Sequence, residues 1–441
     1  MTLPLISIII PVYNGSNYLR DAINSALAQT YENCEILVVN DGSTDRGATE
    51  AIAMEYGDKI RYYKKENGGV ATALNMGIRK MKGEYFSWLS HDDMYHPDKI
   101  QHEWNAINLC GDRNRIAFCD YELLNVETDQ RSIIQLGEVH SKEQLTNGAF
   151  PVLHGILHGC ALLIHKSHFE RVGLFDETLI STQDYDLWFR MLRKQSTIYV
   201  NEPLVIGRIH REQGSKTITT HSKEQSQLHI NFMKMLETEE IKSLYTSRYL
   251  FFFKMMNFYE RNGIMGAYDY AHEMFMMEDI PEQTSLKIKK LKEQLRELSN
   301  GKAEKLCIFC AGDFGINIYQ ELNYRLIKPD SFSDNNPNKW GYVLEGIHCI
   351  PPTELNKENT LLIVAMKNPE TLANDLREKG FLYVTTKGEV DRLMEEVPPI
   401  KWLVEAKKIE NVDYSSKGMI QLVDKFNQTI FEICQYYEKG E

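Results

Sequence analysis

The chain has 441 residues, 43% hydrophobic content and a formal charge of −12 from 62 acidic and 50 basic side chains. That length and apolar content can bury a large core and suggest about two to four domains, while the acidic balance argues against nucleic acid as the main partner. No stretch approaches the roughly 18 consecutive apolar residues of a membrane span, and residues 1–11 lack a basic start before their apolar run, so a cytoplasmic protein is expected. The eight cysteines are scattered through strand-like apolar runs and read as buried free thiols; Cys307 and Cys310, a lone Cys-x-x-Cys, would point to opposite faces of a strand.

In chain order, residues 7–14 (Ser-Ile-Ile-Ile-Pro-Val-Tyr-Asn) predict a parallel strand covered on both faces and ended near Pro11. Ser16 or Asn17 can cap a helix to about Gln29, and residues 35–39 predict a second strand ending in Asn40-Asp41-Gly42-Ser43-Thr44-Asp45. A third strand at 60–63 is followed by Asn67-Gly68-Gly69 and a helix over 70–81. Tyr85, Phe86, Trp88 and Leu89 predict a buried strand running into Ser90-His91-Asp92-Asp93, with His96-Pro97-Asp98 opening the next helix. Alternating strand, polar loop and helix predict a doubly wound α/β sheet with Tyr13, Asp41, Asn67 and Asp92 gathered at one edge, where such sheets bind ligands.

The chemistry of these positions suits a nucleotide. Tyr13 offers a flat ring for a base. Asp41, which accepts hydrogen bonds only when ionised, favours a base edge carrying an N–H, as in uracil, thymine or guanine. Gly68 lets backbone N–H groups approach phosphate, and Asp92 and Asp93 offer hard oxygens to Mg²⁺ or Mn²⁺. Each position also has a simpler structural reading as ring packing, a turn or a helix cap.

Pro11-Val12-Tyr13-Asn14, the Asn40-Asp41-Gly42-Ser43 turn, Asn67-Gly68-Gly69 and Ser90-His91-Asp92-Asp93, in this order and spacing, resemble the family 2 glycosyltransferases. The resemblance implies a GT-A fold, a nucleoside-diphosphate-sugar donor, most commonly a uridine diphosphate sugar, and Mn²⁺ or Mg²⁺ as cofactor. It places Pro11, Tyr13, Asn14, Asp41, Asn67, Gly68, Ser90, His91 and Asp92 around the donor. Asp92 takes the metal-binding last position of the family's Asp-x-Asp motif with Asp93 beside it, and Ser90 replaces the motif's first Asp.

Further on, residues 116–121 predict a strand running into Asp120, and residues 122–150 an acceptor-facing insertion. His154 and His158 are four apart, but the glycines after each disfavour a shared helix face and a zinc site. Thr182-Gln183-Asp184-Tyr185-Asp186-Leu187-Trp188 opens a helix with Asp184 in its first turn, where the dipole alone would favour a carboxylate. By resemblance Asp184 is the general base of an inverting transfer, with Gln183 in place of the family's preceding acid and Asp186 pointing elsewhere. Residues 204–209 predict a last strand leading to Arg208 and His210, which the resemblance brings to the diphosphate.

A catalytic domain is therefore expected over 1–220. Residues 221–302 predict a helical connecting region, in which the Phe251-Phe252-Phe253 helix packs in a core or on a second subunit in preference to a membrane surface. Residues 287–292 read as a solvated connector. Residues 303–385 predict a small Rossmann-like α/β domain similar to those of bacterial polysaccharide-biosynthesis proteins: Cys310-Ala311-Gly312-Asp313-Phe314-Gly315 stands where a dinucleotide loop would, with Asp334 about 20 residues on. Residues 386–441 predict a helical tail with Ile420, Val423, Phe426, Ile430 and Ile433 on one face. The expected activity is metal-dependent sugar transfer to a glycan or glycolipid hydroxyl in bacterial surface-polysaccharide assembly, at the inner face of the membrane where the acceptor is lipid-borne. A catalytically inactive binding or scaffold protein of the same fold is the alternative raised by Ser90 and Gln183.

Overall fold

The computed structural model describes residues 3–213 and 217–406. Gly214, Ser215, Cys434 and the five apolar positions of the expected tail lie outside the described residues. The chain divides into two compact units, Met1–Leu244 with Phe253–Glu273, and Tyr245–Phe252 with Met274–Glu441. The division falls within the helix Arg248–Arg261, whose Phe251, Phe252 and Phe253 are all buried, as packing in a core requires. Among the described residues no helix is long and apolar enough to cross a membrane.

The first unit is built on a nine-stranded sheet, ordered β3-β2-β1-β4-β8-β6-β9-β5 with β7 on β6. Strand β1 (Ile6–Val12) is buried at every position, Pro11 included. It pairs in parallel with β2 (Cys34–Asn40) on one side and β4 (Tyr85–Trp88) on the other, Ile9 lying opposite both Leu37 and Trp88. β3 (Arg61–Lys64) extends this parallel half, so the ends of β1, β2, β3 and β4 open at one edge. Beyond β4 the sheet turns antiparallel through β8 (Leu162–His165) and β6 (Ala117–Asn125), then parallel again to β9 (Ile198–Ile209). The two-stranded rim is β5 (Met94–Tyr95) on β9 and β7 (Gln130–Ile134) on β6.

The helix Val70–Lys80 covers the parallel half. It starts after Gly69, which adopts φ +89°, and carries Arg79 and Lys80 in its last turn, where cations suit the dipole. Its buried face includes Ala71, Ala73, Leu74, Gly77 and Ile78. The small residues let the helix lie close on the strands: a Cβ on Gly77 would sit 2.5 Å from Ile9 Cγ2. After β4 the helix Lys99–Cys110 buries a charge pair beneath the sheet, Lys99 Nζ lying 2.8 Å from both Glu103 and the Ser87 hydroxyl of β4.

Several expectations change here. Residues 122–150, expected to be an acceptor-facing insertion, have regular structure: β6 continues to Asn125, pairs with β7, and leads into short helices at Leu136–Val139, Lys142–Thr146 and Ala149–Leu153. Asp120 is fully buried, accepting from the Leu136 amide at 2.9 Å and the Tyr199 hydroxyl at 2.8 Å, so it serves the fold. β9 begins six residues before its expected start at 204, because Pro203 is accommodated where the pairing with β6 shifts register.

The second unit holds a six-stranded sheet, β12-β13-β11-β10-β14-β15, comprising β10 (Lys305–Phe309), β11 (Ser331–Ser333), β12 (Val343–Leu344), β13 (Ile347–Ile350), β14 (Thr360–Val364) and β15 (Tyr383–Thr386). All pairings but β12–β13 are parallel, which gives the doubly wound strand order of a Rossmann-like fold. Gly315 is required by packing, since a Cβ there would lie 2.1 Å from the Cys310 carbonyl oxygen. Asp334, the acid about 20 residues after the loop, accepts from the Ala311 amide and Lys339 Nζ, each at 2.8 Å. The helix Thr284–Glu297 carries the expected solvated charged face, with Lys289, Lys290 and Lys292 exposed, and its other face, Ile288, Leu291 and Leu295, joins the core of this unit.

Close helix–strand contact yields a stability test. Gly77→Ala should lower the stability of the first unit by about 1–3 kcal/mol through overpacking on Ile9; a melting curve equal to that of the unaltered protein would contradict this.

Candidate functional site

The loops at the open edge of the sheet are tied to each other. After β1, the Asn14 amide donates to Ser43 Oγ at 2.9 Å, and the Thr44 amide donates back to Asn14 Oδ1 at 2.7 Å. Asn14 itself holds φ +49°, a conformation asparagine tolerates better than most side chains. This leaves Tyr13 between the loops with its ring 43% exposed.

Asp41, directly after β2, is only 3% exposed. Its carboxylate accepts from Lys65 Nζ at 2.6 Å and from the Gly68 and Gly69 amides at 3.1 and 2.8 Å. Gly42, at φ +71°, makes the approach possible, because a Cβ there would lie 2.6 Å from the Asn67 nitrogen. Asn67 and Gly68 thus stand beside Asp41, as their spacing suggested. Lys65 was not singled out in the sequence, since a lysine in a polar loop carries no distinguishing signal.

Beyond β4 the neighbouring carboxyls of Asp92 and Asp93 have opposite environments. Asp92 Oδ2 lies 2.9 Å from His210 Nε2. Burial alone would raise this carboxyl, but the charge of His91 and hydrogen bonds from His210 and Ser90 hold it below the usual range. Asp93 turns inward: Oδ1 accepts the Arg208 amide at 2.9 Å and Oδ2 lies 3.5 Å from the Cys160 thiol. Burial, with the adjacent Asp92 charge, pushes Asp93 up to about 8. His91 packs its ring under Gly15, where a Cβ would come within 2.3 Å of it, and burial lowers its basicity.

Arg208, expected at the diphosphate, is 7% exposed and fully engaged. Its guanidinium donates to the Asp92 carbonyl at 2.8 Å and Asp21 at 2.6 Å, and lies over the Tyr18 ring at 4.8 Å from the centroid. It therefore braces the Asp92 turn. His210, two residues on, is the side chain from this segment that meets Asp92.

Asp184 stands in the first turn of the helix Gln183–Leu192. It lines a cavity of about 330 Å³ together with Trp88, Ser90, Asp92, Asp93, His158, Gly159, Cys160 and Gln213. Burial pushes its carboxyl up to about 6, partly offset by the Tyr185 amide that it accepts at 2.9 Å. Gly159 leaves the room, since a Cβ there would sit 2.9 Å from Trp88 Cζ3 and 3.4 Å from Asp184 Oδ2. Asp186 points away and pairs with Arg190 at 2.7 Å.

His154 and His158 do not share a helix face: His154 stacks on Phe150 with centroids 4.2 Å apart, while His158 faces Asp93. Asp93, His158 and Cys160 do place possible ligand atoms within 4.8 Å of one another. However, His158 Nδ1 accepts the Cys160 amide at 3.3 Å, which leaves its proton on Nε2 facing Asp93. The three form a hydrogen-bonded cluster that shapes the cavity wall. Asp92 and His210 bring a carboxylate and an imidazole together at 2.9 Å on the other side of this turn.

A family model described as Glycosyl transferase family 2 matches residues 7–173. An uncharacterized glycosyltransferase of Rickettsia typhi is 48% identical over 271 residues, which cover 62% of this chain and 85% of that protein. Another, from Rickettsia bellii, is 49% identical over 271 residues, again 62% of this chain but 39% of the longer relative, so the chain spans well under half of that protein. Among solved structures, S. aureus TarS 1-349 in complex with UDP-GlcNAc aligns with a TM-score of 0.46 at 16% identity, covering 66% of this chain and 81% of that one. With a relative matched over most of its length and the family model spanning the strand ends that carry Asp41 and Asp92, the chain belongs to the family 2 glycosyltransferases, and its first unit has their GT-A fold.

Proposed function

We propose that the chain transfers a sugar, with inversion, from a uridine diphosphate sugar to a hydroxyl of a glycan or glycolipid acceptor in bacterial surface-polysaccharide assembly. The observation that carries this reading is the convergence of Asp92 and Asp184 on one cavity, with His210 2.9 Å from Asp92. Burial raises Asp184 to about 6, which suits a carboxylate that takes the acceptor hydroxyl proton near neutral pH. As that oxygen bonds to the anomeric carbon, the bond to the diphosphate breaks on the opposite face.

For the base, Asp41 favours an edge carrying an N–H, as uracil has: its carboxylate accepts from Lys65 Nζ and the Gly68 and Gly69 amides, with the Thr72 hydroxyl 3.5 Å away, and Lys65 also donates to the Glu66 carbonyl and the Thr72 hydroxyl. The exposed ring of Tyr13 is the stacking platform. Asn14, Asn67 and Gly68 shape this subsite, and Pro11 holds the strand beneath it. Asp92 and His210 would hold a divalent cation, which would supply charge neutralisation at the diphosphate. In this reading Asp93, Ser90, His91 and Arg208 support that turn from within, so Ser90 in place of an acid leaves the cation pair intact. The non-catalytic alternative is disfavoured because Asp184 keeps both a place in the cavity and a basicity suited to a proton acceptor.

Two outcomes test these roles. Asp184→Asn should reduce turnover of a uridine diphosphate sugar by about 10²–10⁴-fold. Turnover of the unaltered protein should fall below about pH 6, as the base becomes protonated. Full activity in the variant, or an acid limb absent from the pH profile, would contradict the assignment. Asp93→Ala should cost about 1–3 kcal/mol of stability by leaving the Arg208 amide without an acceptor. Asp93→Asn, which can still accept that amide, should cost clearly less and keep metal-dependent nucleotide binding; equal losses in thermal denaturation would count against the inward role.

A further inference from the structure

We propose that Glu224 is a positioning residue for the base Asp184, an inference that rests on the reading of Asp184 given above. Thr182 is the N-cap residue of the base helix, yet its side chain makes no capping bond to that helix. Its hydroxyl donates instead to Glu224 Oε1 at 2.9 Å. The same carboxylate accepts the Ile180 amide at 3.0 Å, the Ser181 amide at 2.8 Å and the Ser181 hydroxyl at 3.0 Å. Three consecutive residues leading into the base helix are thus held by one side chain.

Glu224 is suited to this task as a carboxylate. It lies in the first turn of the helix His221–Met235, where the dipole favours negative charge, and His221 Nδ1 adds a contact to Ser181 Oγ at 2.9 Å. Burial opposes its charge, but the four donors outweigh burial and hold its carboxyl below the usual range. A neutral amide of the same shape could not replace it, because glutamine has one acceptor oxygen and would turn N–H groups toward N–H and O–H donors.

The clamp acts where the base is set. Asp184 is two residues beyond Thr182, and its orientation follows that of the helix entrance. The base side chain has little local fastening of its own: its hydrogen bond is to the amide of the next residue, Tyr185, whose hydroxyl reaches the Leu157 carbonyl at 2.7 Å. The titratable groups lining the cavity with Asp184 are Asp92, Asp93, His158 and Cys160, and Tyr185 adjoins it. None of these is touched by a change at Glu224, so an effect on the base can be read separately from the donor side.

The test uses the full chain with Glu224→Gln, and Thr182→Val as a milder variant that removes one of the four bonds. Turnover of a uridine diphosphate sugar should fall about 10- to 100-fold in Glu224→Gln, with Mn²⁺-dependent uridine diphosphate affinity within twofold of the unaltered protein. The acid limb should move to lower pH, because a loosened entrance admits water around Asp184 and relieves the burial that raises it. Thr182→Val should shift both quantities in the same direction by less. A folded Glu224→Gln protein with unchanged turnover and an unmoved acid limb would overturn the proposal, as would a loss of nucleotide affinity matching the loss of turnover. Asp184→Asn measured alongside separates the two readings: if it stays active the base assignment falls and takes this inference with it, whereas an inactive Asp184→Asn with an unshifted Glu224→Gln profile rejects the Glu224 inference alone.

Discussion

The hydrogen bond from the Arg208 amide to the buried Asp93 carboxyl, across 115 residues of sequence, is the constraint on which the donor side of the site depends. It pins the end of β9 to the turn after β4, and so brings His210 to Asp92. The Arg208 guanidinium then closes on the Asp92 carbonyl and Asp21, so that one residue fastens the turn through both main chain and side chain. Asp92 and Asp93 consequently divide two tasks between adjacent positions. The inward carboxyl is raised by burial and holds the frame, whereas the outward one is held low by His91, His210 and Ser90.

On the other side of β1 the same principle appears with a different solution. Asp41 is as buried as a core residue, and an uncompensated charge there would be strongly destabilising. Lys65 and the Gly68 and Gly69 amides compensate it, and Gly42 permits the close backbone approach that brings them near. The result is a carboxylate held rigidly by its neighbours, which in the proposed reading would meet a nucleotide base without reordering. Such preorganisation reduces the ordering cost of binding. Both subsites therefore rest on parallel strand ends whose positions are set by the β2-β1-β4 register.

Much of this was legible in the sequence, for reasons that differ by element. The strands around β1 and the helix Val70–Lys80 follow from uninterrupted apolar runs and from glycines at turns. Asp41, Asp92 and Asp184 were marked by their order and spacing. What escaped were pairings between distant and individually ordinary residues. Asp21 reads as a surface residue of the helix Leu19–Leu27, and nothing local announces Arg208 as its partner 187 positions later. Lys65 and Glu224 are likewise generic charges until the fold brings them to Asp41 and to the base helix. Pro203 obscured the true length of β9 because its accommodation depends on a register shift in the neighbouring strand. The charged run at 287–292 reads as a helix face, but the core role of Ile288, Leu291 and Leu295 between its lysines depends on the fold of the second unit.

The most direct measurement is calorimetric titration of the full chain with uridine diphosphate, with and without Mn²⁺, repeated on Asp92→Ala and His210→Ala. Binding that requires Mn²⁺ in the unaltered protein and is weakened in both variants is the predicted result, because in the proposed reading the two side chains, 118 residues apart in sequence, would supply the cation's protein ligands. Nucleotide binding that ignores Mn²⁺, or survives unchanged in both variants, would contradict the assignment of this strand-end cluster as a metal-assisted donor site.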